Sequence, residues 1–217
     1  MQFISKPLQN LIRSLGKKNR AAIEALIPKV SLEQKHISNC SIVLNRKSML
    51  ELIGKQDTVA ELGVNRGEFS EEILMALSPK TFHVVDIWGS DRYHSGIYQE
   101  VMTKFSNQIE SGTVKIHRKL STMAASDFQS SYFDFIYIDT DHSYTTTRDE
   151  LLAYASKMKE SGIIAGHDYS MGNWIKSYRY GVIEAVHEFC VKHGWEIIYL
   201  TAEPNESQSF AIRKLKQ

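Results

Sequence analysis

The chain has 217 residues, of which 42% are hydrophobic and 24% are charged. This length suits one domain with a short appendage, since chains usually divide only beyond roughly 250–300 residues, and the composition excludes a disordered chain or a fibre. With 26 basic and 25 acidic residues the net charge is near +1, which gives no reason to expect a nucleic-acid partner.

The first 50 residues are predicted to form an N-terminal helical extension. Residues 1–30 carry six basic side chains and a single acidic one, Glu24. Apolar residues in 8–15 and again in 21–27 follow helical spacing. A basic amphipathic helix either lies on an anionic membrane surface or packs on protein. The short apolar face favours packing, so we expect a homo-oligomer built partly from this extension.

The sequence gives no sign of export or of a membrane span. Cys40 and Cys190 lie far apart with no CxxC motif, which fits a reducing compartment and argues against a disulfide framework or a zinc site. No apolar run approaches the roughly 20 residues that a transmembrane helix needs, and residues 1–20 lack the apolar core of a signal peptide. We therefore expect a cytoplasmic protein without a transmembrane segment.

Predicted strands and helices alternate regularly from residue 57 onward. Short apolar runs predict strands at 58–62, 81–87, 113–117, 133–139 and 161–168. Amphipathic stretches predict helices at 68–77, 98–109, 121–128, 144–159 and 182–190. Strands separated by helices of this length need crossover connections, which produce a parallel sheet with helices on both faces.

The end of the chain has a different pattern. Strands are predicted at 195–201 and 209–215, with only a short polar loop between them. No helix fits in that loop, so the two strands must form an antiparallel hairpin. We therefore predict an α/β fold over residues 51–217: a Rossmann-like doubly wound sheet, mostly parallel, with a C-terminal antiparallel hairpin strand.

The residues that follow the strands are the candidates for a ligand site. In an open parallel sheet, ligands bind beyond the carboxyl ends of the strands, near the topological switch point. Four of the five parallel strand ends carry a carboxylate, which a purely structural sheet would have to solvate or pair at one rim. The residues at these ends are Glu61 to Gly67, Asp86 to Trp88, Leu120 and Ser121, Asp139 to His142, and His167 to Tyr169.

The first turn predicts S-adenosylmethionine as the ligand. Gly63 and Gly67 form a G-x-x-x-G spacing, which lets the backbone bend tightly and lets a ligand approach the next helix. A nicotinamide-binding turn would read G-x-G-x-x-G. Glu61, just before the turn, would repel a pyrophosphate but suits a cationic ligand. Asp86 ends the second strand, where its two oxygens can accept both ribose hydroxyls.

From about residue 55 to its end the chain resembles a class I S-adenosylmethionine-dependent methyltransferase. Its FDFIYIDTDHSY and SGIIAGHDY segments are similar to a small-molecule O-methyltransferase branch that includes macrocin O-methyltransferase. The resemblance implies that Glu61, Gly63 and Gly67 hold the methionine part of the cofactor, Asp86 the ribose and Ser121 the adenine edge. At the same strand ends we add four further cofactor contacts: Asn65, Ile87, Trp88 and Asp139. Trp88 either stacks on the adenine or belongs to the core.

The resemblance also implies a metal and a base. Metal-dependent relatives hold magnesium with one carboxylate after the fourth strand and a pair after the fifth. Carried over by position, the metal ligands are Asp139, His167 and Asp168, and Asp141 is the general base. A histidine at 167 suits magnesium poorly. Other roles stay open: Asp139 as a helix cap, His142 as a pocket wall or catalytic residue, and His167 as ligand, wall or base.

The acceptor is expected to bind against residues 169–181, the loop after the fifth parallel strand. Trp174, Tyr178 and Tyr180 could form a wall for a sugar or an aromatic ring, and Lys176 and Arg179 could meet an acid group. Alternatively, this loop packs on its own domain. We expect methyl transfer to a hydroxyl oxygen of a small molecule, a sugar or a natural product. The alternatives are a nicotinamide-dependent oxidoreductase and a non-catalytic cofactor-binding protein.

Overall fold

The computed structural model describes residues 21–22, 24–89, 95–173 and 178–216. The strands are β1 (Ser41–Val43), β2 (Thr58–Leu62), β3 (Thr81–Asp86), β4 (Val114–Arg118), β5 (Phe133–Ile138), β6 (Met158–Gly166), β7 (Gly172–Asn173), β8 (Tyr178–Arg179), β9 (Trp195–Thr201) and β10 (Phe210–Lys214). The helices are α1 (Arg46–Ile53), α2 (Glu68–Leu77), α3 (Ser95–Lys104), α4 (Ser106–Glu110), α5 (Ser121–Ala124), α6 (Tyr144–Ala155) and α7 (Val182–His193). The helix predicted at 8–15 and the loop residues Trp174 and Lys176 lie outside the described residues.

Eight strands form one sheet in the order β1-β9-β10-β6-β5-β2-β3-β4. The neighbours from β6 to β4 are parallel. β10 runs antiparallel to both β9 and β6. The predicted mostly parallel Rossmann-like sheet with a C-terminal antiparallel hairpin is therefore confirmed. β7 and β8 form a separate two-stranded ribbon within the loop after β6, which the sequence did not predict.

Each face of the sheet packs against its own hydrophobic cluster, and β5 shows why. Ile136 and Ile138 belong to one cluster, whereas Phe135 and Tyr137 belong to the other. Side chains alternate between the faces of a strand, so a strand with helices on both sides is apolar almost throughout. This is why the run FDFIYI is the clearest strand signal in the sequence.

The strand order places a crevice between β2 and β5. The chain moves outward from β2 to β3 and β4, then returns to β5 on the other side of β2 and continues to β6. This reversal is the topological switch point, where ligands bind in open α/β sheets. Gly63 follows β2 with φ +87°, and a Cβ there would lie 2.0 Å from the carbonyl oxygen of Asp139. Only glycine permits this approach between the ends of the two strands.

Several boundaries differ from the predicted ones, among them that the helix predicted at 98–109 is two helices, α3 and α4. β1 pairs in parallel with β9, so the sheet begins at Ser41, within the segment predicted as a helical extension. Helix α1 runs across the predicted boundary at residue 50. The helix predicted at 144–159 ends at Ala155, and β6 starts at Met158. The buried Met158 pairs with Phe133 at the first position of this strand, and an apolar residue fits that position as well as it fits a helical repeat. The division into extension and domain, and the homo-oligomer, stay predictions. None of the described helices is long and apolar enough to cross a bilayer.

Candidate active site

The carboxyl ends of the parallel strands surround a cavity of about 730 Å³. This volume lies within the usual range for small-molecule sites. The predicted site residues that line the cavity are Gly63, Asn65, Asp86, Ile87, Ser121, Asp139, Asp141, His142 and Asp168. Four predicted residues are not part of its lining: Glu61, Gly67, Trp88 and His167. The structure thus brings together most of the predicted site, with four exceptions that have identifiable causes.

Asp86 is held by the backbone of the first turn. One of its oxygens, Oδ2, accepts hydrogen bonds from the N–H groups of Val64 at 2.9 Å and Asn65 at 3.0 Å. Oδ1 accepts from the N–H of Trp88 at 3.0 Å. A carboxylate offers about four acceptor positions, so roughly one remains. The expectation that Asp86 accepts both ribose hydroxyls is therefore corrected: it has room for one of them.

Glu61 is buried behind the first turn. Its carboxyl accepts a hydrogen bond from the hydroxyl of Ser70, and burial raises its pKa to about 8. At neutral pH this group is mostly protonated and cannot attract a cationic ligand as the sequence suggested.

Gly67 lies immediately before α2 with φ +70°, and a Cβ there would lie 2.6 Å from the ring of Phe105.

Trp88 belongs to the core. It is fully buried and its ring lies 5.3 Å from that of Tyr98. Its indole N–H donates to the carbonyl of Asn65 at 2.9 Å. Of the two roles left open for Trp88, packing is therefore the one that the structure supports.

Two carboxylates and two imidazoles meet after β5 and β6. His142 Nδ1 lies 3.0 Å from Asp168 Oδ2 and 3.9 Å from Asp139 Oδ1. His167 Nδ1 lies 3.8 Å from an oxygen of each of the two aspartates. Burial raises the pKa of Asp139, and the two imidazoles oppose this effect. The closest contact in the group is the His142–Asp168 pair.

The same group fits a divalent cation, but with a different third ligand from the predicted one. One ligand atom each from Asp139, His142 and Asp168 lies within 4.8 Å of the other two. His167, the predicted third ligand, is outside this set, and its buried Nε2 has no hydrogen-bond partner among the described residues. Two carboxylates and an imidazole suit manganese, iron or zinc better than magnesium, which prefers oxygen ligands.

Asp141 is engaged at the start of α6. Its Oδ1 accepts from the N–H of Ser143 at 2.9 Å, and its Oδ2 accepts from the hydroxyl of Thr146 at 2.9 Å. The helix-cap role that the sequence left open for Asp139 belongs to Ser143, whose hydroxyl accepts from the N–H of Thr146, and Asp141 lies two residues before this cap. Both oxygens of the predicted base therefore already accept hydrogen bonds from the protein.

Backbone strain is concentrated at this rim. Four non-glycine residues that follow strand ends have positive φ angles: Asn65 (50°), Trp88 (40°), His142 (63°) and Asp168 (55°). Such conformations cost on the order of 1–3 kcal/mol each and persist only where the surroundings enforce them. Three of the four, Asn65, His142 and Asp168, line the cavity, which is typical of a functional site.

Residues 60–169 match the model of a family described as a methyltransferase domain. The matched segment covers just over half of the chain and contains the strand ends that surround the cavity. The chain belongs to this methyltransferase family. No curated protein matches the chain.

Solved structures share the class I methyltransferase fold. A putative rRNA-methylase from Clostridium thermocellum has a TM-score of 0.60 and 15% identity, with 81% of this chain and 98% of that chain covered. The N-methyltransferase NodS from Bradyrhizobium japonicum WM9 has a TM-score of 0.56 and 12% identity, with 79% and 95% covered. The pyocyanin biosynthetic protein PhzM has a TM-score of 0.56 and 13% identity, with 77% of this chain covered. The present chain spans only 55% of the length of the PhzM chain.

The loop after β6 supplies one wall of the methyltransferase cavity. Tyr178 and Tyr180 line it, as the sequence predicted. The Tyr180 ring lies 5.1 Å from that of His142, and its hydroxyl interacts with Asp168. Arg179 does not take the predicted role, because its guanidinium pairs with Glu24 at 3.0 Å and with Glu184. Tyr178, Tyr180 and Asn173 are thus the described residues of this loop that line the cavity and could face an acceptor.

Two further groups of the methyltransferase were not predicted. Glu150 is fully buried in α6, where burial raises its pKa to about 7, and it contacts two residues of the cavity wall. Its place on a buried face at spacings of three and four from Thr147 and Tyr154 was the signal that could have revealed it. Arg46, which starts α1, lies 4.3 Å over the Phe69 ring, and no sequence pattern marks it.

Proposed function

We propose that this methyltransferase transfers the methyl group of S-adenosylmethionine to a hydroxyl oxygen of a small molecule. The observation that carries the proposal is the His142–Asp168 pair at the cavity, with Nδ1 and Oδ2 3.0 Å apart. A hydroxyl acceptor must lose a proton as it attacks, and an imidazole held by a carboxylate is a common group for this task. The resemblance to the macrocin branch supports a sugar or natural-product acceptor.

The cofactor would occupy the side of the cavity formed by the ends of β2, β3 and β4. Gly63 and Asn65 form its floor, Asp86 offers one acceptor to the ribose, and Ser121 lies at the adenine edge. This arrangement leaves His142 and Asp168 for the methyl group and the acceptor. The tyrosines of the loop after β6 would then lie against the acceptor on its outer side.

The methyl group is already activated by its sulfonium, so the protein must mainly align the acceptor oxygen and remove its proton. With its Nδ1–H donating to Asp168, His142 keeps Nε2 free to accept that proton. Asp168 fixes the tautomer and stabilises the imidazolium that forms. In this proposal His142 replaces Asp141 as the base, because the oxygens of Asp141 are held at the start of α6.

A divalent cation would be held at the same place by Asp139, His142 and Asp168. When bound, it would supply a Lewis acid that lowers the pKa of the acceptor hydroxyl. His142 cannot be both base and Nδ1 ligand, so chelation separates the two roles. Turnover that persists in chelator supports His142 as the base, whereas turnover lost in chelator and restored by manganese assigns His142 to the cation site.

The proposal is tested with the full chain, S-adenosylmethionine and a panel of sugars, phenols and polyketides. Formation of S-adenosylhomocysteine is followed by chromatography, and the product is analysed by NMR for an O-methyl group. We expect methylation of at least one hydroxyl acceptor. A product methylated on nitrogen or carbon, or turnover with RNA alone, would contradict the O-methyltransferase assignment.

A further inference from the structure

One buried carboxylate connects two hydroxyl groups of the cavity wall. Glu150 lies in α6 with no solvent exposure. Its Oε1 accepts a hydrogen bond from the hydroxyl of Ser121, and its Oε2 accepts one from the hydroxyl of Thr140 at 3.0 Å. Ser121 starts α5 and Thr140 follows β5, so the two hydroxyls come from separate elements. Both residues line the large cavity, whereas Glu150 lies behind them.

Helix α6 also holds Ser121 by its backbone. The hydroxyl of Tyr154, one turn beyond Glu150, donates to the Ser121 carbonyl at 2.9 Å. The same buried face of α6 thus forms hydrogen bonds with both the side chain and the main chain of Ser121. A serine fixed in this way cannot turn its hydroxyl freely to suit whatever ligand enters.

The charge of Glu150 decides which way the hydroxyl protons point. An ionised carboxylate only accepts hydrogen bonds, and each hydroxyl has one proton to donate. Both protons therefore point at Glu150, and the hydroxyl lone pairs are left for the cavity. This part of the wall offers acceptors and no donors.

We propose that Glu150 is a positioning residue that makes this wall select a ligand group which donates hydrogen bonds, namely the exocyclic amine of the cofactor's adenine. The inference rests on the proposed S-adenosylmethionine site. The adenine amine carries two hydrogens, enough for both hydroxyls. Hypoxanthine has an oxygen at that position, which would face the same lone pairs and leave them unpaired. Specificity is strong where a site's buried polar groups lose their partners.

The ionisation of Glu150 sets the conditions for the test. Its pKa is raised to about 7, mainly by burial; the hydroxyls of Ser121 and Thr140 lower it and the carboxylates of Asp141 and Asp149 raise it within that net result. Tyr154 is the other titratable group beside it. At pH 8.5 Glu150 is ionised and both hydroxyls donate to it. When Glu150 is protonated it donates one hydrogen bond itself, which frees one hydroxyl proton for the cavity.

The test measures the binding of S-adenosylhomocysteine and S-inosylhomocysteine to the full chain by calorimetry at pH 8.5. We expect the wild type to bind the adenine ligand roughly 10–100-fold more tightly, the range for one or two polar groups left unpaired. In Glu150→Gln the amide donates to one hydroxyl, whose proton then turns to the cavity, so the ratio should fall to a few-fold. Thr140→Val, which removes one acceptor, should also lower it.

Glu188→Gln is the matched control. Glu188 is a buried carboxylate that also accepts from a hydroxyl, that of Tyr144, but it does not line the cavity. Its variant should keep the wild-type ratio. Equal wild-type affinities for the two ligands, or a ratio unchanged in both Glu150→Gln and Thr140→Val, would overturn the role of Glu150 and leave the cofactor proposal intact. Binding of neither ligand by the wild type would overturn the cofactor proposal itself.

Discussion

The two sides of the cavity hold their carboxylates in different ways. On the side of β2 and β3, Asp86 is held by three backbone N–H groups. On the side of β5 and β6, Asp139 and Asp168 face the imidazoles of His142 and His167 at 3.0–3.9 Å. Backbone amides do not titrate, so the groups that hold Asp86 keep a fixed charge. A neutral imidazole has one ring nitrogen that can accept a proton, so the second side can take part in proton transfer.

The largest effect should come from the side that holds the imidazoles. His142→Ala removes the proposed base, and we expect turnover to fall by about 10²–10⁴-fold, the usual contribution of general base catalysis. Steady-state rates of S-adenosylhomocysteine formation measure it. Asp141→Asn is the matched control, since it changes a neighbouring carboxylate held at a helix start. If Asp141→Asn is as slow as His142→Ala, the predicted base was Asp141 after all.

On the side of β2 and β3, the ionisation of the buried Glu61 can be tested through the pH dependence of stability. Burial raises its pKa from 4.5 to about 8, so the folded state favours the protonated form. Its contribution to stability is fully present below about pH 4.5 and is lost as the pH rises through about 8. We expect the free energy of unfolding of the wild type to fall between pH 5 and 8, by on the order of 2–4 kcal/mol from this group.

Urea unfolding of Glu61→Gln at the two pH values is the measurement. The amide is neutral throughout and keeps an acceptor for Ser70, so the variant should lose less stability over this range. The variant should still show a smaller dependence of stability on pH, because burial also raises the pKa of Glu150. An identical slope in wild type and variant would show that Glu61 is ionised in the folded protein throughout this pH range, and it would contradict the raised pKa.

Asp86→Ala should weaken the binding of S-adenosylmethionine by about 1.5–3 kcal/mol, the usual size for a charged hydrogen-bond partner. The loss combines one ribose contact with the release of the turn that Asp86 holds. Asp86→Asn helps to separate the ribose contact from the hold on the turn, because its single carbonyl oxygen can keep only part of the backbone contacts. Calorimetry measures both variants, and wild-type affinity in Asp86→Ala would remove Asp86 from the cofactor site.

The smallest expected effect concerns the ion. Manganese or zinc should raise the melting temperature by a few degrees, as a ligand at about 10 times its Kd adds about 1.4 kcal/mol, whereas magnesium should raise it less. Asp139→Asn should abolish the shift. Thermal unfolding in chelated buffer with each ion added back gives the comparison. A magnesium shift equal to that of manganese would favour an oxygen-rich site other than the one described.

The sequence predicted the fold well because the central strands are buried on both faces. β2 and α2 have the predicted bounds, and the run at β5 is one residue shorter than expected. The end of α6 was placed too late because Met158 fits both a helical repeat and the first position of a strand. An apolar residue near a boundary does not indicate which element buries it.

The site was harder to predict than the sheet. The sequence gathered the right strand ends, since parallel strands bring their carboxyl ends to one edge. It could not choose between His142 and His167, because the choice depends on a φ of 63° at His142 and 55° at Asp168. Nor could it show that Asp141 turns toward α6. These outcomes depend on single backbone angles, which residue spacing does not determine.

The contact of Gly63 with the Asp139 carbonyl matters for protein engineering. With a Cβ at 2.0 Å from that oxygen, any side chain at 63 would push the two central strand ends apart and displace both halves of the cavity at once. The junction therefore offers no place from which to widen the range of accepted substrates. The outer rim does, because Leu120 and Tyr178 line the cavity yet are about half exposed to solvent. A mutant library aimed at new acceptors should diversify those positions and leave the glycine alone.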